Sequence, residues 1–261
     1  MRRQEANGRI AAFFDLDGTL IARPSLELRF FANLRQRHAI PMGSYFLWLA
    51  RAVWLAPQGI QMMRHANKMY LRRVNVRDFP EGHQRQGQPG LAVPRFLPEA
   101  VEQVAWHARQ GHAIVLVSGT LAPLAREMAL ALVVRLAVRG IAASVAVCAT
   151  RLEESGGRWT GRIAGDAMFG EAKGRTVREM AAEKGFDLAQ CYAYGDSVGD
   201  RWMLEAVGRP AAVNASWRLE TLALRKSWPV LTWATEKKPK QNSSSTQGEQ
   251  RNPEEIWENV G

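Results

Sequence analysis

Phe13-Phe14-Asp15-Leu16-Asp17-Gly18-Thr19-Leu20 is the stretch on which the reading of this chain turns. Arg9 to Phe14 is a short apolar run with strand character, and it stops at two aspartates and a glycine. That pattern predicts a β-strand closed by a tight turn, with carboxylates at its carboxyl end. Two later stretches repeat the arrangement. Ala113 to Val117 is an apolar strand ending at Ser118-Gly119-Thr120, and Cys191 to Tyr194 is one ending at Gly195-Asp196.

Between these strands the chain alternates as a βα protein does. Helices are predicted over Glu99 to Gln110, Leu121 to Val138, Ala172 to Lys184 and, after Gly195-Asp196, through Ala206. Gly111, Gly140 and Gly185 stand where the first three should stop. Ile141 to Ala149, Pro210 to Val213 and Val230 to Leu231 read as further strands, and Arg151 to Ile163, with Glu-Ser-Gly-Gly at its centre, as a β-hairpin. Ser25 to about Asn75 is helical in pattern and divided by Pro41 and Pro57, and Pro80, Gly82, Gly87 and Pro89, close together within 79–94, suggest a loop.

In open parallel sheets, ligands bind outside the carboxyl ends of the strands. Asp15/Asp17/Thr19, Ser118/Thr120 and Asp196/Asp200 are therefore expected to converge on one place. Several anions in one pocket repel and raise each other's pKa. Asp15 and Asp196 close together call for a hard cation with oxygen ligands, and magnesium suits that chemistry best. Lys173, in Gly170-Glu171-Ala172-Lys173-Gly174 at the start of a predicted helix, is the natural fourth member. A lysine there is ordinarily a solvated surface residue; its order between the second and last clusters sets it apart.

These stretches resemble, in order, the four motifs of the haloacid dehalogenase (HAD) superfamily: Phe13 to Leu20 the first, Val117-Ser118-Gly119-Thr120 the second, Lys173 the third, and Tyr194 to Asp200 the fourth. The match spans about residues 10–231. The insertion after the first motif, the 151–163 hairpin and the fourth motif's form are similar to the phosphoserine-phosphatase-like branch. The resemblance implies an α/β fold: a Rossmann-like parallel sheet with helices on both faces, plus a small α-helical cap inserted after the first strand. The expected layout is a core of 9–22 and 95–234, a helical cap with connecting loop over 23–94, and a disordered polar tail over 235–261.

By the same resemblance Asp15 attacks phosphorus and becomes an aspartyl-phosphate, and Asp17 acts as general acid and base. Ser118 and the Gly119 amide bind phosphoryl oxygens, and Lys173 neutralises charge. Asp15, the Asp17 backbone carbonyl and Asp196 bind Mg2+, Thr19 holds the turn or orients Asp17, and Asp200 is an outer-sphere or Lys173-pairing residue. Members that dehalogenate or cleave phosphonates lack an aspartate two residues after the nucleophile, so Asp17 points to a phosphatase. Two positions depart from the pattern. Phosphoserine phosphatases carry a glutamate nine residues after the nucleophile, where this chain has Pro24 beside Arg23, with Glu27 three residues on as a substitute. Gly199 stands where those enzymes usually place asparagine.

The cap segment is rich in large apolar residues: Phe30, Phe31, Tyr45, Phe46, Trp48, Trp54, Met62, Met63 and Met69. They read either as a packed helical core or as a groove or face for a lipid-like phosphate or anionic membrane, with Arg35, Arg37, Arg51, Arg64, Arg72 and Arg73 meeting the headgroups. Lys plus Arg number 35 against 25 acidic residues, a formal charge of +10 that suits anionic partners. A small phosphorylated substrate is expected. A nucleic-acid end phosphatase and a non-catalytic basic binding module are the rival readings. Against the first, the basic residues are scattered and no aromatic-interleaved basic patch appears, so nucleic acid is not expected. Against the second, every catalytic position is filled. Cys148 and Cys191 read as small buried hydrophobes at strand ends. With no apolar run after Arg2-Arg3 that fits an export signal, they point to the cytoplasm.

Overall fold

The structure is a computed structural model that describes residues 9–59, 65–76 and 94–233. Strand β1, Ala11–Phe14, is buried along its whole length. A parallel strand covered on both faces must be apolar at every position, and this one is. It pairs in parallel with β2 (Ala113–Leu121) on one side and β6 (Tyr192–Gly195) on the other. β3 (Val145–Thr150) lies outside β2, and β7 (Arg209–Val213) and β8 (Val230–Leu231) lie outside β6. The order β3-β2-β1-β6-β7-β8 makes the β1/β6 pair the point where the winding reverses. Ligands of open α/β sheets bind at such a reversal.

Successive residues of β1 feed opposite cores. Phe14 packs with Leu116, Tyr194 and the apolar stripes of α3 (Pro98–Arg109) and α4 (Ala122–Ala137). Phe13 packs with Val115, Ala193 and residues of α5 (Glu171–Lys184), α6 (Arg201–Leu204) and α7 (Trp217–Arg225). The sheet thus carries helices on both faces, as expected. Helix α7 was not expected from the sequence, although Leu219 and Ala223, one turn apart, are its buried residues.

Two boundaries moved. β2 continues past Val117 to Leu121, with an irregular register between Ser118 and Leu121 that keeps the second motif within the strand. β3 begins at Val145 and not at Ile141. Cys148 lies inside β3 and is only half-buried, which departs from the expectation of a buried strand-end residue. Cys191 is buried just before β6, where its Sγ accepts the Ala11 amide at 3.3 Å.

After β1 the chain leaves the sheet for α1 (Leu26–Gln36), α2 (Met42–Leu55) and a short 3-10 turn at Met69–Leu71. Phe30 is buried here, and Phe31 meets the Tyr70 ring edge-on at 5.1 Å. The hairpin β4 (Leu152–Ser155) and β5 (Arg158–Ile163) reaches back to this insertion. Trp159 and Val74 join through the Trp159 amide, and Arg73 returns a bond to the Trp159 carbonyl at 2.8 Å. A side chain at Gly161 would lie 3.1 Å from the Met69 backbone, so glycine permits the close approach. Among the described residues no helix is long and apolar enough to cross a membrane. The 79–94 loop, except its last residue, the polar tail, and Met62, Met63 and Arg64 lie outside the described residues.

Candidate active site

The carboxyl ends of β1, β2 and β6 bring the separated motifs to one place. Asp15 follows β1 directly, and its amide donates to the Tyr194 carbonyl at 2.9 Å. The residue is 6% exposed. The Lys173 ammonium lies 2.5 Å from Asp15 Oδ1 and 2.6 Å from Asp200 Oδ1, and both partners are buried. Lys173 reaches them because α5 sits close to α6: a Cβ on Gly174 would fall 2.6 Å from the Trp202 carbonyl oxygen.

Asp200 has little capacity left for another partner. Its Oδ1 accepts from Lys173, and its Oδ2 accepts from the Ser197 amide and hydroxyl at 3.0 and 2.8 Å. That fits the Lys173-pairing role. Asp196 is also buried, and its Oδ2 lies 2.5 Å from the Arg23 guanidinium, whose side chain is 68% exposed at the mouth. The ion pair between Arg23 and Asp196 was not legible in the sequence, because it joins the insertion to a strand end 173 positions away. Gly18 makes room for it. Its φ is +94°, and a Cβ there would lie 2.1 Å from Asp196 Oδ2.

Asp17 is held from two sides. The Leu26 amide donates to Oδ1 at 2.7 Å and the Thr120 hydroxyl to Oδ2 at 2.6 Å. Thr120, and not Thr19, orients this carboxyl. Thr19 is fully buried, and its hydroxyl has no hydrogen-bond partner among the described residues. Ser118 is buried on β2, its Oγ accepting the Thr120 amide at 3.2 Å, and the Gly119 carbonyl accepts the Thr150 hydroxyl at 2.9 Å. One contributor was missed entirely. The His65 ring of the insertion lies against Gly119, 3.2 Å from where a Cβ would stand, and stacks on Phe169 at 4.1 Å. Phe169 in turn occupies the space over Gly199, 2.6 Å from its missing Cβ. A side chain at position 199 would meet that ring, so glycine permits the packing.

Burial pushes the Asp15 carboxyl well above its ordinary range, opposed by Lys173 and reinforced by Asp200 and Asp196. Asp196 is raised to about 6 by burial and Asp200, with Arg23 opposing. Burial also raises Asp17, against the Thr120 and Leu26 hydrogen bonds. Burial alone would lower Lys173, but Asp15 and Asp200 reverse this and raise it. Ligand oxygens of Asp15, Asp196 and Asp200 lie within 4.8 Å of one another. With Asp200 committed to Lys173 and Ser197, the buried Asp15 and Asp196 offer the hard oxygen donors that fit a divalent cation of the magnesium type.

A scan against protein-family models matches residues 12–205 to haloacid dehalogenase-like hydrolases. The chain belongs to this superfamily. A Mycobacterium tuberculosis protein named a probable phosphatase is 33% identical over 234 residues, covering 87% of this chain and 76% of that protein. Phosphoserine phosphatase SerB1 of the same organism is 29% identical over 232 residues, covering 84% and 70%. A crystal structure of a Bordetella pertussis protein of unknown function matches with TM-score 0.61 and 28% identity, covering 86% of this chain and 98% of that one. The HAD chain described here is a phosphatase, a hydrolase of phosphoric monoesters.

Proposed function

We propose that the protein is a magnesium-dependent phosphatase that works through a phosphorylated Asp15 on a small or lipid-linked phosphate monoester. The observation that carries this reading is the Lys173 ammonium shared between Asp15 and Asp200, deep at the reversal of the sheet. A cation so placed favours the ionised Asp15 that attack requires, opposing the burial that raises it.

In the first step an Asp15 oxygen attacks phosphorus and the ester P–O bond breaks. Asp17, raised by burial and held by Thr120 and Leu26, gives its proton to the leaving oxygen. In the second step Asp17 takes a proton from water, the hydroxide attacks phosphorus, the Asp15–phosphorus bond breaks and inorganic phosphate leaves. Ser118 and the Gly119 amide bind the phosphoryl oxygens, and Lys173 balances their charge. A magnesium ion held by Asp15, Asp196 and the Asp17 backbone carbonyl, when bound, would screen the carboxylates and the phosphoryl group. Residues 23–94 are proposed as the cap that selects the substrate, over a core of 9–22 and 95–234, and the unpaired cysteines accord with a cytoplasmic setting.

Phosphoserine is the second reading, favoured by the names of relatives such as SerB1. Against it, Glu27 is engaged: Lys68 Nζ lies 2.6 Å from both its oxygens and Tyr70 donates to it at 2.8 Å. A carboxylate so occupied is poorly placed to receive a substrate ammonium group. The test is phosphate release from an aryl phosphate with and without Mg2+. Activity should vanish with Asp15→Asn and with EDTA. Turnover that survives either one rejects the mechanism, and a screen of phosphorylated metabolites then separates phosphoserine from other monoesters.

A further inference from the structure

Helix α2 has fourteen residues, of which only Ser44 and Leu55 are buried. Met42, Phe46, Leu49 and Val53 follow one another at steps of four, three and four, which line up a single helix face. All are exposed, Phe46 at 72% and Val53 at 69%. Trp54 adjoins them, with the Arg51 guanidinium 4.2 Å from its ring centroid. Contiguous apolar faces of this kind mark interaction sites.

The charge of the same segment selects what covers the face. Residues 23–76 hold nine lysines and arginines and one acidic residue, Glu27, so they carry eight of the chain's ten net positive charges. Glu27 is occupied by Lys68 and Tyr70. Arg35 and Arg37 precede α2, and Arg72 is joined to it where the Ser44 hydroxyl donates to its carbonyl at 2.7 Å. A second copy would set this positive segment against itself. An anionic bilayer meets both features, taking the apolar face at the acyl boundary and the arginines among the headgroups.

We infer that α2 is an interfacial helix that seats the enzyme on an anionic lipid surface. The helix is mechanically tied to the site. Asn67 donates to the Trp48 carbonyl at 2.8 Å, its neighbour Lys68 holds Glu27, and His65 lies against Gly119. These contacts couple a cap resting on lipid to this side of the site. The substrate class that follows, a phosphomonoester of a membrane amphiphile, rests on the phosphatase reading above.

The test uses the full chain and a Phe46→Gln/Val53→Gln variant, whose altered side chains are solvent-exposed. Both are sedimented with phosphatidylcholine vesicles, with or without phosphatidylglycerol, and assayed on a soluble aryl phosphate. The parent should sediment with the anionic vesicles only and lose binding as salt is raised, and the variant should partition about tenfold more weakly. Aryl phosphate turnover should be equal in the two. A lipid phosphomonoester in vesicles should be hydrolysed faster by the parent than by the variant, and equal rates reject the substrate class. Absence of sedimentation at low salt, or equal sedimentation of the variant, overturns the inference. So does a dimer in sedimentation equilibrium that the variant dissociates, since a second copy would then own the face. A chain that binds vesicles but turns over neither substrate leaves the docking surface standing and rejects the phosphatase reading.

Discussion

The Thr120 hydroxyl donates to Asp17 Oδ2 at 2.6 Å from a strand end 103 positions further along the chain. The bond favours the charged carboxylate, against the burial that raises it. Thr120→Val should therefore raise Asp17 further and free its orientation. A loss of about tenfold or more in kcat is expected, with the pH limbs governed by Asp17 moved to higher pH. A pH–rate profile of the variant that superimposes on the parent's would remove Thr120 from the machinery.

Phe169 gives the second prediction. A side chain at Gly199 would meet its ring at 2.6 Å, and the ring carries the His65 stack. Gly199→Asn should displace both rings, costing about 1–3 kcal/mol through overpacking and raising KM because His65 leaves Gly119. Adding Phe169→Ala should recover much of the stability by vacating the space. If the double variant is no more stable than Gly199→Asn, the steric account is wrong.

Glu27 and Lys68 supply the third. Lys68 is 1% exposed, and its ammonium is paired with Glu27. Glu27→Gln leaves a buried ammonium without its counter-charge, and a loss of about 3–5 kcal/mol is expected in denaturant unfolding. The loss in activity should be similar for phosphoserine and for an aryl phosphate. A selective loss of phosphoserine turnover would restore Glu27 as the amine-binding residue.

His107 predicts a pH dependence of stability. Its Nδ1 lies 2.8 Å from His112 Nδ1, and its Nε2 lies 2.9 Å from the Tyr194 hydroxyl, which also accepts from Gln103. One proton between the two rings satisfies the contact, and a second would set two N–H groups face to face. Phe14, Trp106 and Tyr192 pack around His107, and Arg209 faces His112. Burial lowers His107 well below its ordinary value, and His112 adds to this. Burial and Arg209 lower His112. Both groups bind protons more tightly unfolded than folded, so their contribution is full above about pH 6.5 and declines as pH falls below it. The raised Asp15, Asp17 and Asp196 act in the opposite sense, so the quantity to read is a difference. Between pH 7.5 and 5.5, both set around the ordinary imidazole value of about 6.5, the parent should lose more stability than His112→Asn. Equal losses would show that the pair does not titrate on folding.

The sequence alone determined which polar residues follow the apolar strand runs, although β2 itself continues to Leu121. Asp15, Asp17, Ser118, Asp196 and Asp200 were legible because a strand closed by a turn is a local event, written in a run of apolar residues and the polar ones that stop it. The insertion was legible as helical for the same reason, from periodicity and its prolines. Tertiary structure decided what no local pattern encodes: that Thr120 and not Thr19 holds Asp17, that Arg23 reaches Asp196, and that Phe169 explains Gly199. It also divided the apolar stretch, turning Phe30 of α1 inward and Phe46 of α2 outward. Such contacts join residues distant in sequence, and their identity follows from how the sheet stacks its helices and where the hairpin anchors the insertion.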